Sequence, residues 1–187
     1  MSPKKLLFSL CFMLHTLQAG SSAAIDINNK DVELLTTFDF SHLTYYAAGT
    51  AYVVDGSYLH TENHSLVTVG ISGENALQGV EGLSLAFGLK SAIASDFLAF
   101  PLMAKATYRL PFNDRVPPTY LSGSFAYAPE VLSFNEAQSY SEFRLEADME
   151  MISNIHIFTG YRNINTDYAH IKRTWNNHFY AGLKLKF

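Results

Sequence analysis

From His178 to Phe187 every second residue is apolar. Phe179, Ala181, Leu183, Leu185 and Phe187 fall on one side, and His178, Tyr180, Gly182, Lys184 and Lys186 on the other. A period of two sends successive side chains to opposite faces, which predicts an extended strand. Ser141 to Met151 repeats the pattern: Phe143, Leu145, Ala147, Met149 and Met151 oppose Glu142, Arg144, Glu146, Asp148 and Glu150. In Leu98 to Leu110 the even positions are apolar or aromatic, and Lys105, Thr107 and Arg109 lie opposite. Gly82 to Lys90 alternates Leu83, Leu85, Phe87 and Leu89 with Ser84, Ala86, Gly88 and Lys90. No stretch holds a helical period. Weaker strands are expected at about 24–28, 32–40, 44–59, 65–72, 119–127 and 155–165. Turn formers cluster at Asn28 to Asp31, Gly73 to Gly79 and Pro111 to Pro118, and Ser153-Asn154 is a very short turn. The count is about ten strands, with eight possible, in one all-β domain read as a small antiparallel β-barrel.

Alternation alone does not say which face meets solvent. A soluble barrel buries its apolar face, whereas a transmembrane β-barrel turns it to lipid and keeps polar residues in the lumen. Three features favour the second. The strands run to 9–13 residues, which suits the roughly 9–11 needed to cross a bilayer at a tilt. The polar faces carry small residues (Ser84, Ala86, Gly88, Gly160, Gly182), as a narrow interior requires. The third is Phe187, an aromatic residue closing a strand with no tail, where a soluble domain seldom stops. In a membrane barrel the charges on 142–150 must face the lumen, because a basic residue at the bilayer midplane costs about 2–4 kcal/mol.

Composition fits that picture. The 187 residues are 48% apolar and 14% aromatic with 16% charged, too apolar for a disordered chain. The net charge is −4 with scattered Lys and Arg, which argues against a nucleic-acid surface. One cysteine, Cys11, allows no internal disulfide. After the N-terminal segment, the longest run free of Asp, Glu, Lys and Arg is Phe40 to Val54, too short for a spanning helix. Residues 1–24 read as a signal peptide: Lys4 and Lys5, an apolar stretch from Leu6 to Leu17, and small residues Ser22-Ala23-Ala24 for cleavage. The barrel domain is then 25–187, a chain without cysteine or lipid anchor.

The last strand resembles the terminal recognition signal of Gram-negative outer-membrane barrels, carried here by Phe179, Ala181, Leu183, Leu185 and Phe187. By that resemblance the barrel-assembly machinery reads this strand during insertion. Three further pieces, Tyr58 to Glu62, Tyr127 to Phe134 and Thr159 to Arg162, resemble the YfaZ family of outer-membrane proteins. The resemblance implies a small barrel in the bacterial outer membrane with no assigned biochemical activity.

Candidate chemistry is sparse. His60-Thr61-Glu62-Asn63-His64 sets two imidazoles and a carboxylate at alternate positions, a possible divalent-metal set or simply a polar loop. His170 and His178 flank the last loop, but no serine–histidine pairing resembles a barrel-rim lipid hydrolase. The lumen charges carry more information. Glu142, Glu146, Asp148 and Glu150 are expected to be offset by Arg144 and by Lys105, Arg109, Arg162, Lys184 and Lys186 on other strands, with Arg162 meeting Glu146 diagonally. The expectation is a monomer among outer-membrane lipids, without cofactor, metal or enzymatic activity. Its lumen is filled with charge and closed, and loops 60–64, 128–138 and 166–175 face outward for a structural or surface-interaction role. A narrow cation-selective channel, a rim hydrolase and a soluble lipid-binding barrel are the alternatives.

Overall fold

A computed structural model of the chain describes residues 20–41, 49–62, 64–112, 116–168 and 172–187. The apolar part of the expected signal peptide lies outside them. Among the described residues there are twelve strands: β1 (Ser22–Ile27), β2 (Asp31–Asp39), β3 (Thr50–Thr61), β4 (Ser65–Ala76), β5 (Leu83–Ile93), β6 (Phe97–Ala99), β7 (Leu102–Arg109), β8 (Thr119–Ala128), β9 (Ser133–Asn135), β10 (Ala137–Ile152), β11 (Ile155–Tyr168) and β12 (Lys172–Lys186). Ten of them pair antiparallel in the ring β1-β2-β3-β4-β5-β7-β8-β10-β11-β12, and β12 returns to β1 to close it. Closure gives every wall strand a partner on each side, though β12 from Lys172 to Tyr180 runs past the end of β1. We call the end that holds Ser22, Lys186 and the Ser153-Asn154 turn the lower end, and the opposite one the upper end.

The wall is inverted relative to a soluble barrel. Ile25, Leu34, Ile71, Phe87, Leu145 and Phe179 stand exposed on the outside, while Asp26, Glu33, Glu142, Asp148 and Arg162 are buried within. Strand period does this sorting: in β10 the residues between Leu145, Ala147 and Met149 are Glu146 and Asp148.

Three details differ from the sequence reading. Ser22, Ala23 and Ala24, expected at the end of the signal, form the start of β1 and pair with Lys186, Leu185 and Lys184. The wall therefore begins at Ser22, within the segment 1–24. Small residues that suit a cleavage site also suit the crowded inner wall. The stretch 98–110 is not one strand, because Pro101 has no N–H for the ladder. It separates β6, which pairs with β9, from β7, which pairs with β8. Lastly, most of 166–175 is strand rather than loop, since β11 continues to Tyr168 and β12 starts at Lys172. Residues 44–48 of the expected third strand lie outside the described residues. The Ser153-Asn154 hairpin is as expected, with Asn154 at φ 71° in the left-handed region that Asn tolerates.

Candidate functional site

The interior is divided across its height by a chain of ion pairs. On β10, Glu142 accepts from Lys90 of β5 at 2.9 Å, from the Tyr140 hydroxyl at 2.8 Å and from Arg144 Nε at 2.5 Å. Arg144 then reaches β2, where Nη1 and Nη2 donate to the two Glu33 oxygens at 2.7 and 2.8 Å. Glu33 also accepts from Arg162 of β11, whose Nη1 lies 3.3 Å from Asp26 of β1. Around the ring, β10 and β2 are four strands apart, and β10 and β5 three in the other direction. Lys90, Glu142, Arg144, Glu33, Arg162 and Asp26 thus span the interior instead of running along one wall. Buried charges persist only when paired, and the bidentate Arg144–Glu33 contact is the strong form of such a pair. Asp26 and Glu33 face each other in register on adjacent strands, so two carboxylates share the Arg162 guanidinium. Arg162 is fully buried, lies over the Tyr180 ring at 5.1 Å, and keeps Nε and Nη2 without a hydrogen-bond partner among the described residues.

A second, local group sits below on β10, β11 and β12. Lys184 donates to Glu146 at 2.8 Å and to Asp148 at 2.5 Å. His156 Nδ1 lies 2.5 Å from Asp148, and the Tyr180 hydroxyl donates to Glu146 at 3.2 Å. Lys184 also rests over the Phe158 ring at 4.9 Å. Glycine makes this packing possible: a Cβ on Gly160 would run into the Tyr180 ring, and one on Gly182 into the Phe158 ring.

Above the ion layer the interior holds an apolar cluster, beside the buried Asn176–Asp31 pair and Thr166, which accepts from the Trp175 ring nitrogen. Leu59, Leu66, Phe97, Tyr140, Ile164 and Trp175 form a buried cluster with Ala92, Ala99, Ala128 and Ala137. Phe97 on β6 meets Tyr140 and Trp175 at ring-centre distances of 5.9 and 5.4 Å. The rim is tied across by Asp96, which accepts from Arg173 at 2.5 Å and from the Tyr168 hydroxyl at 3.1 Å. Below the layer, and bounded by its Lys90, Glu142 and Arg144, lies a cavity of about 180 Å³ lined also by Ser57, Thr68, Ser72, Ser122, Ser124, Asp55, Glu74 and Lys105.

The sequence-predicted residues distribute as follows. Glu142, Arg144, Arg162, Glu146, Asp148 and Lys184 are in the two ion-pair groups. Arg162 does not meet Glu146. It turns toward Asp26 and Glu33, which closure of the ring brings beside it, and Glu146 takes Lys184 instead. Lys105, Arg109 and Glu150 make no ion pair among the described residues, and Lys186 stands over the Tyr120 ring at 5.1 Å. Asp26, Glu33, Lys90, Tyr140 and His156 were not on the expected list of partners. Their signal was present, since Asp26 lies between Ile25 and Ile27, and Glu33 between Val32 and Leu34. Four of the five terminal-strand residues lie on β12 and Phe187 follows its last residue; Phe179, Leu183, Leu185 and Phe187 are exposed outside. That strand pairs on both sides along 181–185.

The two histidines of the 60–64 segment have different neighbours, and the first lies on β3 rather than in a loop. His60 Nδ1 is 3.0 Å from the Ser65 hydroxyl, whereas His64 packs edge-on against Trp175. Asn63 and His170 lie outside the described residues. Among the described residues no three His, Cys, Asp or Glu side chains are grouped to hold a metal ion.

No curated protein matches the chain. Among solved structures a bacterial polysaccharide outer membrane secretin aligns over 89% of this chain and 68% of its own, with 11% identity and a TM-score of 0.45. The family model described as YfaZ precursor matches residues 5–187, nearly the whole sequence. The chain belongs to the YfaZ family.

Proposed function

We propose that this protein is a monomeric barrel of the bacterial outer membrane, closed to solutes, whose role is structural or exercised through its upper loops. One observation carries the reading: apolar side chains cover the outside while the charged ones inside are joined across the barrel from Lys90 to Asp26. An apolar outer wall has hydrocarbon as its natural solvent. An ion-pair layer with an apolar cluster above it leaves little room for a continuous water path. The family supports the location. With the lower end periplasmic, the Ser153-Asn154 turn is the tight side, and the segments between β5 and β7, β8 and β10, and β11 and β12 face outward.

Purified protein in planar bilayers is expected to show no steady conductance, and its band should shift on boiling before electrophoresis. A large, stable, cation-selective conductance would make the chain a narrow channel instead. The facing has its own check. Leu145, 54% exposed, should tolerate Arg poorly, at a cost of about 2–4 kcal/mol if it lies near the midplane. Glu146→Gln, one residue away and turned inward, should cost less in the same urea titration in detergent micelles. The reverse order would turn the barrel wall inside out.

A further inference from the structure

We infer that the outer wall of β11 and β12 holds the saccharide headgroup of a glycolipid; this rests on the outer-membrane reading above. The cross-strand rows of β10, β11 and β12 climb from Met149, Ile157 and Leu183 to Ala147, Thr159 and Ala181, then to Leu145, Tyr161 and Phe179. On β11 and β12 the next two rows change character, while Phe143 of β10, beside Asn163, still stands exposed and apolar. Asn163 stands opposite Asn177, and Asn165 opposite Thr174. These groups bond to one another on the outer face: Tyr161 hydroxyl to Asn177 at 2.5 Å, Asn163 to the Tyr161 oxygen at 3.3 Å, Asn165 to Asn163, and Thr174 to Asn165 at 2.8 Å.

A carboxamide in hydrocarbon is costly, so on β11 and β12 the apolar band ends at this register and the row meets the headgroup layer. Each asparagine keeps donor hydrogens beyond these bonds: one on Asn163, one on Asn165, two on Asn177. The patch is neutral, which selects its occupant. A phosphate seat would recruit Lys or Arg, but Lys172 above it is already 3.5 Å from Asp167. Neutral donors and acceptors suit sugar hydroxyls. Directly below, Phe179 is 76% exposed with its ring 5.3 Å from that of Tyr161, an aromatic platform for the C–H face of a sugar ring. The platform is also open on one side. From Lys172 to Tyr180, β12 has a ladder partner on the β11 side only, because β1 ends opposite Ala181.

The test is native mass spectrometry of the full barrel released from micelles containing a short-core lipopolysaccharide, lipid A without core sugars, or phosphatidylglycerol. The short-core form should be retained in preference to both others. The Asn163→Ala/Asn177→Ala pair should lower that retention about tenfold, the worth of one or two neutral hydrogen bonds, with the heat-dependent gel shift unchanged. Equal retention by this variant, or equal retention of the two lipids without core sugars by the parent, overturns the inference. Should the double variant not fold, Phe179→Leu, which keeps an apolar outward residue, must lose the preference, and undiminished retention there overturns it too. A parent protein that stays soluble and shows no gel shift would instead refute the outer-membrane reading, and the seat with it.

Discussion

At the upper end of the interior Phe97, Tyr140, Ile164 and Trp175 pack as a small apolar core. At the lower end the same ten strands surround a cavity with serines and threonines. Ring closure and strand number are common to both ends, so width alone does not dictate filling. Residue size does: inward positions near Lys186 are Ser22, Ala24, Ser122 and Ser124, while those near the upper mouth are Leu59, Leu66, Tyr140 and Trp175. The upper end also receives an extra element, since β6 adds Phe97 from a segment that Pro101 detaches from the wall. The Lys90-to-Asp26 ion chain divides the two regions. Stability is therefore expected to concentrate above and within that layer, and to depend little on what lies below.

Arg144→Ala should have the largest effect. It leaves Glu33 without its bidentate partner and Glu142 with Lys90 and Tyr140 alone. Removing one member of a buried ion pair costs about 3–5 kcal/mol, read as a lowered urea midpoint of the folded barrel in micelles. A loss under about 1 kcal/mol would place water in the layer and erase the division. Phe97→Ala should come next at about 3 kcal/mol, the cost of emptying a well-packed aromatic site. Ser122→Leu should be the smallest, within about 0.5 kcal/mol, because the cavity has room for the added carbons. A cost of about 1–3 kcal/mol would mean that the lower end is packed as tightly as the upper.

How much of this was readable in the chain depends on range. The alternation in 141–151 and 178–187 is local, and it located β10 and β12, their inward faces and the total of ten wall strands. Which cation meets which acid is not local. Arg162 lies one hairpin from Glu146 along the sequence, yet Glu33, more than a hundred residues away, is its partner because β1 and β2 close against β12. Lys90 was visible as a polar-face residue, but its pairing with Glu142 depends on the curvature that brings β5 across to β10. The apolar cluster was hidden for a different reason. Phe97 precedes the alternating stretch, and nothing in its neighbours tells that Pro101 will detach that end of the stretch and let it cap the interior. At 22–24 a cleavage site and a narrow inner wall ask for the same small side chains, so their type does not separate the two.

The seam between β1 and β12 has a temporal consequence. It joins residues more than 150 positions apart through six paired positions, whereas β11 and β12, neighbours in sequence, share thirteen. Loop-closure entropy opposes such distant contacts until the intervening hairpins have formed. The ring should therefore be completed last in folding and part first under stress, so that amide exchange at Ile25 and Ile27 outpaces that at Ile157 and Thr159. A growing barrel spends most of its folding time as a curved, open sheet. Its final motion is a short strand meeting the far end of the chain.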